Sequence, residues 1–75
     1  MLIRLSRLPA GRQAVLRECL PERGLRPELE RLGLVPGTEI VCLHRLLPGK
    51  AAVYGFADTV LALRDASAES LVCEY

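Results

Sequence analysis

Apolar and polar positions alternate over much of this 75-residue chain, and the places where alternation fails mark its turns. "LPAGR" (Leu8 to Arg12) is a turn in which Pro9 presets φ and Gly11 relaxes the exit. "QAVLRECL" (Gln13 to Leu20) follows as a strand of imperfect alternation, which a bulge would explain. "PERG" (Pro21 to Gly24) breaks that strand. Leu25, Leu29 and Leu32 then sit at i, i+4 and i+7, the spacing of one helical face. Pro27 falls in the first turn, where its missing N–H costs nothing, and Glu28 lies near the positive end of the helix dipole. About two turns of helix are marginal alone, so these leucines need a core to bury them.

The densest stretch is "ERLGLVPGTEI" (30–40). Gly33 directly follows Leu32, where a helix end calls for positive φ, and Leu34 is placed to fold back on the last turn. In "VPGT", Pro36 and Gly37 occupy the second and third positions of a type II turn. Gly33, Leu34, Pro36 and Gly37 are therefore structural, joining a helix stop to a strand start. "TEIVCLHR" (Thr38 to Arg45) reads as a strand with Ile40, Cys42 and His44 on one face and Val41, Leu43 and Arg45 on the other. "LLPGK" (Leu46 to Lys50) is a loop. "AAVYGF" (Ala51 to Phe56) is a strand with Ala52, Tyr54 and Phe56 on one face. Ala57 and Asp58 make a tight reversal, with Asp58 tolerant of left-handed φ. "TVLALR" (Thr59 to Arg64) is a strand, "DASAE" (Asp65 to Glu69) a helical turn capped by Asp65, and "SLVCEY" (Ser70 to Tyr75) a last short strand. Five short strands, tight turns and one small helix predict a mainly β fold, a small barrel whose closure removes exposed edges.

Composition narrows the function. One small domain over 1–75 is expected. Its residues are 51% hydrophobic but only three are aromatic, so Leu, Val and Ala make the interior. Ten basic and nine acidic residues, interleaved, give a net charge of +1 and argue against nucleic-acid binding. The longest apolar runs fall far short of the ~20 residues that span a bilayer, and the first residues do not read as a signal peptide, so a cytoplasmic protein is expected. Cys19, Cys42 and Cys73 are odd in number and far apart, as expected for reduced thiols serving as small apolar residues.

Candidate chemistry is sparse. His44, the only histidine, sits mid-strand among apolar neighbours, without a nucleophile–base–acid set, so no enzyme activity is expected. Cys42 and His44 lie two apart and could form a transition-metal site with Cys19 and Cys73, but the close paired spacing of structural zinc sites is missing. Neither GxGxxG nor GxxxxGK[ST] occurs, and no cofactor is implied.

"LERLGLVPGTEIVCLHR" resembles the hallmark of the FeoA family: a short helix ending in Leu-Gly-Leu, then Pro-Gly-Thr, then a strand. "LSRLPAGRQAVL", with Leu5, Leu8 and Gly11, is similar to the family's opening, and "TVLALRDASAESLV", with Ala68 and Leu71, to its ending. The chain departs from the pattern where Asp58 holds a turn position usually given to glycine, which Gly55, three residues earlier, does not replace, and where Val41 fills a position often polar. The resemblance implies an SH3-like β-barrel that acts as a non-enzymatic accessory of bacterial ferrous iron uptake. Its implied partner is the cytoplasmic portion of FeoB, a membrane GTPase-permease that would hold it at the inner membrane face. The same domain type ends some iron-dependent repressors, so a generic protein- or ligand-binding regulatory module is the alternative; a chain this short is expected to lack a DNA-binding part. An RNA-binding barrel is a further alternative that the near-neutral charge disfavours. SH3-like barrels often bind through loops beside an apolar groove, which makes Leu46, Leu47 and Pro48 the candidate partner contacts.

Overall fold

The computed structural model describes residues 1–20, 26–47 and 49–75, with Arg26 described in its backbone only. The break at Pro21 to Gly24, the helix position Leu25 and the candidate contact Pro48 lie outside the described residues. The elements are β1 (Leu2–Arg4), a 3₁₀ turn (Leu5–Arg7), β2 (Gln13–Cys19), α1 (Arg26–Leu32), β3 (Glu39–Leu47), β4 (Ala51–Phe56), β5 (Thr59–Arg64), α2 (Asp65–Ala68) and β6 (Leu71–Glu74). All six strands pair antiparallel in the order β1-β6-β2-β3-β4-β5.

The alternation of the sequence becomes the inside of this sheet. Ala14 and Leu16 of β2, Ile40 and Cys42 of β3, Ala52, Tyr54 and Phe56 of β4, and Leu71 and Cys73 of β6 are all buried in one cluster. A sheet whose strands all feed one core must curl around it, and the fold is a small SH3-like barrel. The 3₁₀ turn and α2 occupy the gap between the outer strands β1 and β5. Arg4 donates to the Glu69 carbonyl (2.6 Å), and the Ser6 hydroxyl bonds the Glu69 carboxylate. Leu5 opens that turn and Leu8 directly follows it, and both are completely buried.

The 30–40 stretch folds as the sequence predicts. Gly33 (φ 98°) donates to the Glu30 carbonyl (3.0 Å) and Leu34 to that of Leu29 (2.9 Å), the paired bonds of a Schellman ending. Leu29 and Leu34 are both buried in the core. Thr38 donates to the Val35 carbonyl (3.0 Å) across the Pro36–Gly37 turn, and Gly37 has φ 96°. The turn is then sewn to β2: Gly37 donates to Leu16 (2.7 Å), and Leu16 donates to Thr38 (2.9 Å). The expected bulge in β2 is a register shift between Leu16 and Glu18.

Five expectations need correction. The described residues form six strands, because Leu2–Arg4 pairs with β6, and the short "LIR" carries no alternation long enough to reveal it. Leu32 is 41% exposed, since the helix stops at that residue and the chain turns inward at Leu34 instead. Asp65 is the first residue of α2 and no cap: Arg64 holds the cap position without a side-chain bond. The left-handed residue of the β4–β5 reversal is Ala57 (φ 50°) rather than Asp58. Finally, β3 runs on to Leu47 and shifts register twice, between Cys42 and His44 and between Arg45 and Leu47. Each shift adds a residue and moves the side chains that follow to the other face.

Candidate functional site

The first shift decides the fate of the candidate metal pair. Cys42 lies opposite Tyr54 and is fully buried, whereas His44 lies opposite Val53 and is exposed. The two side chains leave the sheet on opposite faces, and among the described residues no three His, Cys, Asp or Glu side chains gather to hold a metal. A site built on Cys42 and His44 does not fit this geometry. Cys42 and Cys73 are buried free thiols. Burial pushes the Cys73 thiol up to about 11, as expected of a sulfur serving as core packing.

The same shift turns Arg45 inward, opposite Ala52, where strict alternation would have kept it outside. Its guanidinium donates to the Ser6 carbonyl (2.7 Å), the Leu8 carbonyl (2.6 Å) and the Asp65 carboxylate (3.2 Å). One side chain thereby ties β3 to the 3₁₀ turn and to α2. Beneath it, Tyr54 donates to the Leu5 carbonyl (3.4 Å). Burial pushes the Tyr54 phenol up to about 12, opposed in part by the Arg45 charge.

The second shift leaves Leu46 and Leu47 at the outer end of β3, 48% and 61% exposed. Both are surface residues and neither plugs the barrel. Pro36 and Gly37 are exposed at their turn, at the other end of the same strand.

Sequence reasoning missed a larger feature, the outer surface of β3, β4 and β5. Three cross-strand rows cover it: Val41–Gly55–Val60, His44–Val53–Ala62 and Leu47–Ala51–Arg64. An antiparallel sheet with one solvated face ordinarily carries polar residues there. Here Leu43 is 47% and Val60 67% exposed, and only His44 and Arg64 interrupt the apolar rows. Gly55 has no unusual φ to require it; a Cβ there would lie 3.3 Å from Leu43 and 3.4 Å from Val41. Its lack of a side chain lets those two lean over β4, and the surface dips into a shallow groove between them and Val60, with Glu39 and Asp58 at one end. The signal was present in "TVLALR", apolar at four successive positions and so on both faces, the pattern of a strand covered on both sides.

An antiparallel barrel with its apolar residues spread inside and along one outer sheet defines a small SH3-like module. A family model described as the FeoA domain matches residues 3–75. The chain belongs to the FeoA family. Solved structures agree. The FeoA protein of Chlorobium tepidum is 28% identical, with a TM-score of 0.86, over 96% of this chain and 69% of that one. FeoA of Stenotrophomonas maltophilia, solved with zinc and described as a prokaryotic SH3-domain protein, is 26% identical with a TM-score of 0.80, over 99% of this chain and 89% of that one. A manganese-dependent transcriptional repressor shares the fold, with a TM-score of 0.85 at 9% identity over 97% of this chain and 41% of that one. No functionally curated protein matches the chain. No described helix is long and apolar enough to cross a membrane.

Proposed function

We propose that this chain is a non-catalytic accessory of bacterial ferrous iron uptake, working in the cytoplasm by contact with the cytoplasmic portion of a FeoB-type permease. The observation that carries this reading is the family match over residues 3–75. It agrees with the description of the Stenotrophomonas relative, put forward as a ferrous iron transport activating factor. A module of this size acts on a permease by binding it, and the leucines at the end of β3 offer an apolar contact that costs little to desolvate.

The test is a pull-down with the permease's cytoplasmic domain, together with ferrous uptake in a deletion strain. Capture and slowed uptake are expected. Absence of both would defeat the proposal. Leu46 and Leu47 are exposed, so replacing both by Ser should weaken capture at least tenfold while leaving the melting temperature within about 2 °C. A lower melting temperature would instead make them part of the fold.

The likeness to the repressor supports a second reading, a regulatory module attached to other proteins. It predicts that the isolated barrel captures no permease domain yet alters the activity of a protein fused to it.

A further inference from the structure

The outer face of β3–β4–β5 is apolar apart from His44 and Arg64, and the charges in and beside it are sorted by end. Glu39 and Asp58 lie beside the Val41–Gly55–Val60 row. Arg64 closes the opposite row, and Lys50 is the chain neighbour of its central residue, Ala51. None of these four charges makes an ion pair or side-chain hydrogen bond with another described residue. The middle row, His44–Val53–Ala62, carries no acid.

We propose that a second copy of this chain docks on this face, with the strands of the two copies antiparallel across the contact. A two-fold axis lying in the contact plane, perpendicular to the strands and over the middle row, sets β3 on β3, β4 on β4 and β5 on β5 while reversing their direction. The acidic end of each copy then meets the basic end of the other. Asp58 of one copy lies over the Arg64 and Lys50 end of its mate, and the relation repeats by symmetry, as an isologous contact requires. Val60 and Leu43 leave water together with the dip over Gly55. A uniformly acidic or basic face would repel its own copy. This face complements itself, and the net charge of +1 leaves almost no overall repulsion to overcome.

The size of the face sets the strength. Three strands about 4.8 Å apart and five residues long, at about 3.4 Å each, make a patch smaller than the ~800 Å² each partner of a standard interface contributes. The dimer is therefore weak, dissociating at micromolar to submillimolar concentration. This inference is independent of the permease reading.

Sedimentation velocity from micromolar to about 1 mM chain tests it. A monomer–dimer equilibrium is expected across that range. Val60→Asp, at an exposed position, should weaken it at least tenfold with no change in melting temperature. Asp58→Arg alone should weaken it severalfold, more at low salt, and the double variant Asp58→Arg/Arg64→Asp should recover it. A chain monomeric at 1 mM overturns the proposal, as does a dimer indifferent to Val60→Asp or a double variant that fails to recover. If the chain stays monomeric while Val60→Asp abolishes capture of the permease domain, the face belongs to that partner and self-association is wrong.

Discussion

Gly37 is held at φ 96° in a turn whose ladder bonds reach β2, and a Cβ there would touch nothing within 4 Å. Gly37→Ala therefore introduces no clash, and its cost comes from forcing an L-residue into left-handed backbone. A loss of about 1 kcal/mol is expected, visible as a melting temperature lower by roughly 4–8 °C. An unchanged melting temperature would count against the turn assignment. These residues were legible from sequence because a positive φ leaves glycine at one position and proline next to it. Cys73 was legible only as an apolar position; its buried thiol gives it a second consequence. The folded-state value, about 11, stands above the ordinary 9.0, so the unfolded thiol ionises first. Stability is complete below about pH 9 and falls as the pH rises toward 11, by on the order of 2 kcal/mol, with Tyr54 adding to the loss from about pH 10 upward. Urea melts at increasing alkaline pH should show this fall, and Cys73→Ala should make it shallower.

At the scale of the element, β3 decides most of what distinguishes the observed barrel from the expected one. A period of two cannot announce an inserted residue. "TEIVCLHR" reads as one strand of unbroken period two, with His44 on the face of Cys42 and Arg45 on the other. The two bulges that reverse those placements arise from pairing with β4, information that lies in the partner strand. Arg45 is the dividend of the first bulge. Replacing it by Met keeps the stem but leaves the Ser6 and Leu8 carbonyls without their donor and Asp65 without its cation. Both members of the ion pair retain some exposure, so a cost of roughly 2–3 kcal/mol is expected, below that of breaking a fully buried pair. Asp65→Asn, which keeps all three guanidinium contacts possible, should cost less than half as much. Denaturant titration of the two variants separates them; equal losses would mean that the carbonyl bonds contribute nothing.

Across the whole molecule, the barrel's inside was readable and its outside was not. Leu16, Ile40, Tyr54, Phe56 and Leu71 announce the core through alternation because burial is a property of each strand's own sequence. The apolar outer face emerges only when Val41, Gly55 and Val60 are brought into one row by register. Candidate contacts drawn from a single loop, Leu46 and Leu47, thus lie at one margin of a surface three strands wide. The order β1-β6-β2 has a further consequence. It brings the first and last described residues together, with the Tyr75 N–H donating to the Met1 carbonyl (2.8 Å), on the part of the sheet remote from β3–β4–β5. A neighbouring domain joined at either end would enter the barrel by the same door and leave the three-strand meander uncovered. That geometry makes the unit portable between proteins, in keeping with a repressor in which the same fold accounts for 41% of a longer chain.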